Sequence, residues 1–264
     1  MTSRFLSLTC LAMAPLLIGS ASAVVIDNFN DESLSEYTLT RVLDNNTASN
    51  ISFSATGGTL STTVSGGVSN VPEQVLFLRD DHSLEVGQTL LIDTTITSNL
   101  ATANIVNDFG IAIGTTETPA GLTTGTSGDV RASSSYLYIS VRPNQDSIRA
   151  GYANNAAPVT SFTAATTENL VAQLFITRTA ANSFEVGYYT TSDTKVTLDL
   201  NGASAGNEFT FTSALMGTSV GFYADVRHDQ TVGFMDNLAI VPEPSSAALL
   251  GAFGLLGIMR RRRA

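Results

Sequence analysis

The sequence is poor in the side chains that most often carry chemistry. Its 264 residues include one cysteine, two histidines and no tryptophan. Cys10 lies in an N-terminal segment that we expect to be removed, which leaves the rest of the chain without disulfides or thiolate sites. His82 and His228 have no second histidine at metal-ligand spacing, so no zinc site is predicted. We interpret both as solvated loop histidines.

Basic residues are also scarce. The chain has 13 lysine and arginine residues against 23 aspartate and glutamate residues, and Lys195 is its single lysine. Arg4 and Arg260–Arg263 belong to the two terminal segments described below. Val24–Pro244 therefore keeps eight basic residues against 23 acidic ones, a net charge of −15. Such a body is repelled by nucleic acid and by anionic membrane surfaces, and we predict no nucleic-acid partner.

The N-terminal segment Met1–Ala23 has the parts of a secretory signal peptide. Arg4 provides a positive charge, Phe5–Ile18 is apolar, and Ala21-Ser22-Ala23 is a small-residue cleavage site with Ala21 and Ala23 at its recognition positions. We predict that signal peptidase removes residues 1–23 and that the mature protein begins at Val24.

The C-terminal segment, residues 242–264, has three parts in a fixed order. Pro242-Glu243-Pro244 comes first, the apolar run Ser245–Met259 follows, and the four arginines Arg260–Arg263 come last, before Ala264. The run has 15 residues, fewer than the roughly 20 that span a hydrocarbon core comfortably, so we predict a short helix that crosses the membrane transiently. The arginines resist translocation, which keeps the C-terminus cytoplasmic and the body on the opposite side.

This order resembles the PEP-CTERM sorting signal of Gram-negative bacteria. The resemblance implies processing by a membrane protease, an exosortase. It also implies a protein of the outer cell surface or extracellular matrix that is associated with exopolysaccharide or biofilm. Exosortase and signal peptidase are then the partners during export, and the inner membrane holds the C-terminal helix until processing. The sorting residues that the resemblance implies are Pro242, Glu243, Pro244, Arg260, Arg261, Arg262 and Arg263.

The body, residues 24–241, has the composition of strands and turns. Threonine, serine, glycine, asparagine and valine dominate, and apolar and polar residues alternate in several short runs separated by turn signals. No stretch of ten residues has helical periodicity. The pattern predicts one all-β sandwich, and the runs that indicate its strands include Tyr136–Val141, Leu170–Ile176, Phe184–Tyr188, Lys195–Leu200 and Phe209–Phe211.

The two ends of the body are alike. Val25–Asp31 and Val232–Ile240 each carry an Asp-Asn pair beside aromatic residues, and we expect these strands to be neighbours. Leu174–Arg178 and Ser183–Tyr189 indicate a hairpin. These features resemble the concanavalin-A-like and laminin-G-like jelly rolls of exported bacterial proteins, which implies a single jelly-roll β-sandwich.

Catalytic patterns are weak in the body. The spacing Gly-x-Ser-x-Gly occurs at Gly202–Gly206 and at Gly217–Gly221, but no run with helical periodicity follows either one, so the strand-to-helix elbow of a nucleophilic serine is not predicted. Jelly rolls also host glucanases, but the alternating Glu-x-Asp-x-Glu pattern is absent. We therefore predict a non-enzymatic protein, with a glycoside hydrolase as the less favoured alternative.

Carbohydrate binding requires fewer specific residues than catalysis does, namely aromatic rings for stacking and a few polar groups. Tyr136, Tyr138 and Tyr152 are candidate stacking faces, and Arg142 is a candidate hydrogen-bond donor. Tyr136 and Tyr138 share one face of their predicted strand, which is either a binding platform or a buried face. A lectin-like, glycan-binding module is accordingly the second interpretation.

Calcium is the one cofactor that we consider. Hard oxygen ligands from carboxylates suit it, and jelly-roll domains often hold an ion where the first and last strands meet. Asp27, Asp31 and Asp236 are the candidate ligands. The alternative is that these aspartates form Asx turns and cap strand ends.

Overall fold

The chain is all-β in a computed structural model that describes residues 23–44, 50–65, 73–94, 107–117, 135–142, 147–152, 160–163, 171–198, 209–210, 217–226 and 230–243. These residues contain sixteen strands. The strands are β1 Val24–Asp27, β2 Thr38–Asp44, β3 Asn50–Thr56, β4 Thr59–Ser65, β5 Glu73–Ser83, β6 Gln88–Thr94, β7 Asp108–Gly114, β8 Tyr136–Arg142, β9 Ser147–Tyr152, β10 Thr160–Thr163, β11 Val171–Ala180, β12 Ser183–Thr190, β13 Lys195–Thr197, β14 Phe209–Thr210, β15 Ser219–Val226 and β16 Gln230–Pro242.

The strands form two antiparallel sheets within one compact unit, Ala23–Glu243. The nine-stranded sheet has the order β13-β12-β11-β6-β16-β4-β3, with β1 paired to β16 and β14 paired to β12. The seven-stranded sheet has the order β10-β9-β8-β7-β15-β5-β2. Strands distant in sequence are therefore neighbours in space, and the all-β, two-sheet sandwich predicted from the sequence is confirmed.

The main core is built by the alternation of side chains along these strands. Every second residue of a strand faces the same way, so one face of each sheet can be apolar. In the seven-stranded sheet, Ile111 of β7 and Ile139 of β8 are register partners, and both are fully buried in this core. In the nine-stranded sheet, Ile92 of β6 and Leu174 of β11 form the equivalent pair. Burial of each such side chain contributes roughly 1.5–3 kcal/mol relative to exposure.

The predicted strands agree closely with the observed ones in the best-patterned regions. The hairpin of β11 and β12 pairs Phe175 with Gly187 and Arg178 with Phe184, as expected from its two alternating runs. The first and last strands are also neighbours, because Val24 and Val25 of β1 pair with Ile240 and Ala239 of β16.

Two predicted strands are described only in part. The run Lys195–Leu200 is a strand over Lys195–Thr197, where β13 pairs with three residues of β12, and Asp199 and Leu200 lie outside the described residues. The run Phe209–Phe211 is a strand over Phe209–Thr210, and Phe211 lies outside the described residues.

The two terminal segments lie largely outside the described residues. This holds for the signal peptide up to Ser22 and for the apolar run Ser245–Met259. Within the described ranges, no helix is long and apolar enough to span a membrane.

Candidate functional site

The last strand extends into the Pro-Glu-Pro sequence. β16 pairs with β6 through Val241 opposite Thr89 and Pro242 opposite Gln88. Beyond the strand, the amide of Glu243 donates to the carbonyl of Gly87 at 2.8 Å. The Thr89 hydroxyl donates to Glu243 Oε1 at 2.6 Å. Main chain and side chain of Glu243 are thus both bonded to the sandwich, and we call Val241–Glu243 with its contacts on β6 the C-terminal junction.

The junction rests on a buried threonine pair. Thr89 and Thr177 are 4% and 3% exposed, and their hydroxyl oxygens are 2.7 Å apart. A hydroxyl has one proton to donate. Because Thr89 donates to Glu243, Thr177 is the donor in the threonine pair. The result is a chain of hydrogen bonds from Thr177 through Thr89 to the carboxylate of Glu243.

The turn that receives Glu243 has a defined shape. Gly87 has φ of 80°, a left-handed conformation that suits glycine. Its amide donates to the carbonyl of Arg178 at 2.8 Å, and Arg178 Nη1 donates to the carbonyl of Leu84 at 2.8 Å. Hydrogen bonds to and from Arg178 therefore fix this turn, and the carbonyl of Gly87 points towards the Glu243 amide.

The start of the body lies beside the same junction. Val24 opposes Ile240, two residues before Pro242, in the antiparallel pair of β1 and β16. The side chains of Val24, Val25 and Val86 are 53%, 55% and 52% exposed. The start of β1 and the end of β16 are consequently neighbours at one edge of the described body.

An open cleft of about 530 Å³ lies beside the first strand, and we call it the N-terminal cleft. Amide, carboxylate and guanidinium side chains line it, together with two aliphatic residues of β1. The lining residues are Val25, Ile26, Asp27, Asn28, Asn30, Asp31, Glu36 and Arg79.

The loop that forms the cleft is anchored by an aromatic residue in an unusual conformation. Phe29 has φ of 54°, which is rare for a bulky side chain, and its ring is fully buried 5.9 Å from the ring of Phe222. Asp27 Oδ1 accepts a hydrogen bond from the amide of Phe29 at 2.7 Å. Packing of the ring and this side-chain bond together fix the wall of the cleft.

Arg79 organises the charges below the cleft. Its Nε and Nη2 donate to the Asp81 carboxylate, both at 2.7 Å, and these bonds hold the pKa of Asp81 well below its usual range. The same bonds raise the pKa of Arg79. Burial, followed by the charge of Asp27, raises the pKa of Tyr37, whose hydroxyl donates to Asp27 Oδ2 at 3.0 Å.

His82 lies at the rim of this group, with Nδ1 3.1 Å from Asp81 Oδ1. It is the second-last residue of β5 and is partly buried, so the predicted loop position is wrong for this histidine. The reason is that β5 includes the charged residues Arg79–His82, and the next residue, Ser83, is still paired to Ser219 of β15. His228 lies outside the described residues.

The three calcium candidates are distributed over two places. Asp27 and Asp31 both line the N-terminal cleft, and each accepts an amide hydrogen bond from the residue two positions later, as in an Asx turn. Asp236 lies on β16 opposite Asp93 and accepts from the amide of Asn237 at 2.6 Å. Within the described ranges, no group of three or more metal-ligating side chains is assembled. Calcium binding therefore stays a prediction. The hydrogen bonds that the three aspartates accept are those expected if they form Asx turns and cap strand ends.

The tyrosines proposed to stack on sugars are buried. Tyr136 and Tyr138 are 0% and 1% exposed, and they form a second apolar cluster with Tyr223 on the other face of the seven-stranded sheet. The rings of Tyr138 and Tyr223 are 4.1 Å apart. The rings of Tyr136 and Tyr138 lie against Gly114 and Gly151, their register partners, where any side chain would collide with them. The face that Tyr136 and Tyr138 share is therefore buried, and neither ring is exposed for stacking on a sugar. Of Tyr152 the structure describes only the backbone, in β9.

Burial of Tyr136 has a measurable consequence. It raises the pKa of this phenol to about 12. Because the folded pKa lies above the ordinary value of about 10, the neutral phenol contributes stability below pH ~10 that is lost as pH rises towards 12. We expect an alkaline absorbance titration of Tyr136→Phe to lose one phenol that ionises near pH 12, while Tyr37, whose pKa is also raised by burial, still ionises late. A Tyr136→Phe variant whose absorbance rises between pH ~10 and ~12 as much as that of the wild type would contradict the assignment.

Arg142 was predicted to donate hydrogen bonds to a ligand, but its guanidinium is buried and bonded to a carboxylate. Its Nε and Nη2 donate to the two oxygens of Asp108 at 2.5 and 2.7 Å, and both residues are almost fully buried. A guanidinium matches a carboxylate in this two-bond geometry, which makes the pair strong and directional. The pair joins β7 to β8 and has a structural role here.

A second carboxylate lies next to this pair, and the sequence did not reveal it. Asp225 of β15 is the register partner of Asp108, and it is fully buried. Gln74 Nε2 donates to Asp225 Oδ2 at 3.2 Å. The only signal in the sequence is a charged residue within an apolar run, which does not indicate the neighbouring strand.

The C-terminal junction contains the first residues of a motif that a family comparison identifies. Residues 241–263 match the model of the PEP-CTERM protein-sorting motif. The chain carries a PEP-CTERM sorting motif. Its first residues, Val241–Glu243, are those bonded to β6.

The other predicted sorting and cleavage residues lie largely beyond the described ranges. Ala23 begins the described body, and Ala21 precedes it. The match to the motif includes the whole arginine cluster, but the structure does not describe the positions of its members. The sorting residues outside the described ranges are Pro244, Arg260, Arg261, Arg262 and Arg263.

The body that precedes the sorting motif aligns with solved lectin structures. Lectin II from Ulex europaeus has 14% identity and a TM-score of 0.45, with 80% of this chain and 100% of that chain covered. A Bauhinia forficata lectin in complex with GalNAc has 11% identity and a TM-score of 0.48, with coverages of 83% and 97%. The Emp47p carbohydrate recognition domain has 10% identity and a TM-score of 0.47, with coverages of 84% and 98%. The chain matches no curated protein at a significant level.

Proposed function

We propose that this chain is an exported, non-enzymatic β-sandwich protein that an exosortase processes at its PEP-CTERM motif. In this proposal residues 1–23 are the signal peptide, residues 24–241 are the functional body, and residues 242–264 are the sorting segment. The mature protein belongs to the outer surface or the extracellular matrix, in contact with exopolysaccharide. The observation that carries the proposal is the sorting motif over residues 241–263.

The charge and composition of the body support this location. A net charge of −15 over Val24–Pro244 favours solubility in a hydrated matrix. Cys10 is the single cysteine, and it is lost with the signal peptide, so the mature fold depends on its core rather than on an oxidising compartment. Neither property depends on a bound ligand.

The proposal is tested by changing the motif and following the precursor. We expect deletion of Arg260–Arg263, or replacement of Pro242-Glu243-Pro244 by alanines, to leave a precursor with an unprocessed C-terminus in the membrane fraction of the native host. Cell fractionation with an antibody against the body measures this. A substitution in the body, Ser61→Ala, is the control and should be sorted normally. Normal release of both motif variants would contradict the proposal.

A carbohydrate-binding role is a second candidate, and the N-terminal cleft favours it. Planar amide, carboxylate and guanidinium groups are suited to hydrogen bonding with sugar hydroxyls, and Asn28, Asp31 and Glu36 line an open surface there. We expect Glu36→Ala to abolish saturable binding on an array of matrix polysaccharides if this role is correct. Tyr138→Phe serves as the control, because its ring is buried elsewhere. Binding that survives Glu36→Ala would exclude the cleft.

The buried carboxylates argue for a non-enzymatic body. Asp108 is bonded to Arg142, and Asp225 accepts from Gln74. In the N-terminal cleft, Asp27 and Asp31 each accept an amide hydrogen bond of their own turn, whereas glycoside hydrolysis needs two carboxyl groups that face the substrate. We expect no release of reducing sugar from matrix polysaccharides. Release that is lost in Glu36→Gln, which changes a carboxylate of the N-terminal cleft, would support the hydrolase alternative.

A further inference from the structure

The sorting motif begins inside the folded sandwich rather than after it. β16 lies in the interior of the nine-stranded sheet, and its pairing with β6 continues to Pro242. Glu243 is then bonded through its amide to Gly87 and through its carboxylate to Thr89. Three residues of the matched motif, Val241–Glu243, are therefore part of the fold.

Peptidases generally bind their substrates as extended segments that form new main-chain hydrogen bonds, as when a strand is added to a sheet. A segment whose main chain is already bonded to β6 cannot form these bonds without first leaving the sheet. Extraction of Glu243 breaks a charge-assisted hydrogen bond, which is stronger than a neutral one, and leaves the buried Thr89–Thr177 pair without its acceptor.

The chain beyond Glu243 leaves little room for cleavage. Ser245, the first residue of the apolar run, is two residues further on, and two extended residues span about 7 Å. Between Glu243, which is bonded to Gly87, and the apolar run, the sequence holds only the peptide bonds Glu243–Pro244 and Pro244–Ser245.

We propose that the exosortase cuts on the C-terminal side of Glu243, so that Pro242 and Glu243 remain in the mature protein as the bonded end of β16. This inference rests on the proposed function. In the cleavage, the amide bond after Glu243, Pro244 or Ser245 breaks. The new C-terminal carbonyl receives the hydroxyl of water, or the amine of an acceptor in a transfer reaction, and the departing nitrogen takes a proton.

The position of the cut is tested on the mature protein from its native host. We expect the C-terminal peptide, sequenced by tandem mass spectrometry, to contain Glu243 and to end at Glu243, Pro244 or Ser245. A mature C-terminus at Pro242 or earlier overturns the inference while leaving exosortase processing intact. A chain that still ends at Ala264 overturns the proposed function, and the inference with it.

The bonding of Glu243 is tested separately by hydrogen exchange on the full chain. We expect the Glu243 amide to be protected, and Thr89→Val to increase its exchange at least about tenfold, since the variant loses a hydrogen bond to a charged group that holds Glu243 against β6. Thr94→Val is the matched control. Thr94 is a buried threonine on the same strand, and its hydroxyl donates to the carbonyl of Val171 at 2.9 Å, away from the motif. Equal, unprotected exchange at Glu243 in the wild type and in Thr89→Val would overturn the inference.

Discussion

Replacement of Arg142 by methionine is expected to destabilise the sandwich by about 3–5 kcal/mol, because it leaves the Asp108 carboxylate buried without its guanidinium partner. The two side chains are each 3% exposed, and their two hydrogen bonds join neighbouring strands of the seven-stranded sheet. Asp225, the register partner of Asp108, adds a second carboxylate to the same face and increases the cost. Urea unfolding of the purified body measures the change in free energy.

The double variant Asp108→Leu with Arg142→Met is the matched control. Replacing both members of a buried ion pair by apolar residues is often neutral or stabilising, whereas removing one member is costly. We therefore expect the double variant to recover most of the stability that the single variant loses. A single variant as stable as the wild type would show that Arg142 lies in a hydrated site, which would return it to the list of candidate ligand contacts.

Replacement of Phe222 by alanine is the second change with a large expected effect, a loss of about 3–5 kcal/mol. Phe222 is fully buried on β15, and its ring contacts the rings of Phe29 and Tyr37 at centroid distances of 5.9 and 5.6 Å. Phe29 anchors the loop of the N-terminal cleft. The variant should therefore loosen the cleft as well as lower the free energy of unfolding.

Phe53→Ala is the comparison for Phe222→Ala, since Phe53 also stacks on an aromatic ring but is only partly buried. We expect its cost to be clearly smaller, because less apolar surface is returned to water and a cavity at the edge can be filled by solvent. Thermal or urea unfolding of both variants measures the difference. An equal loss of unfolding free energy in the two variants would contradict the difference in burial between Phe222 and Phe53.

The fold was predicted well where a local pattern determines the structure. Alternation identified β8, β11 and β12, and the turn between Ala180 and Ser183 identified the hairpin. The pairing of β1 with β16 was predicted from matching Asp-Asn sequences at both ends of the body. These are signals that a strand or a turn carries within its own residues.

The candidate sites were harder to predict because they depend on which strands are neighbours. Asp108 and Asp225 are 117 positions apart in the sequence, and only the order of strands in the sheet places them together. Tyr136 and Tyr138 were correctly assigned to one face, but a period-two pattern does not say whether that face is covered. Glu243 was assigned to the sorting segment, whereas its contact with Thr89 depends on the register of β16 and β6.

Export and processing at the two ends of the chain are the central claim, and the intact mass of the protein recovered from the surface or medium of its native host tests them most directly. We predict a mass for a chain that begins at Val24 and lacks Arg260–Arg263. A mass for a chain that extends to Ala264 would contradict the claim, because it would show that the PEP-CTERM segment is retained rather than removed.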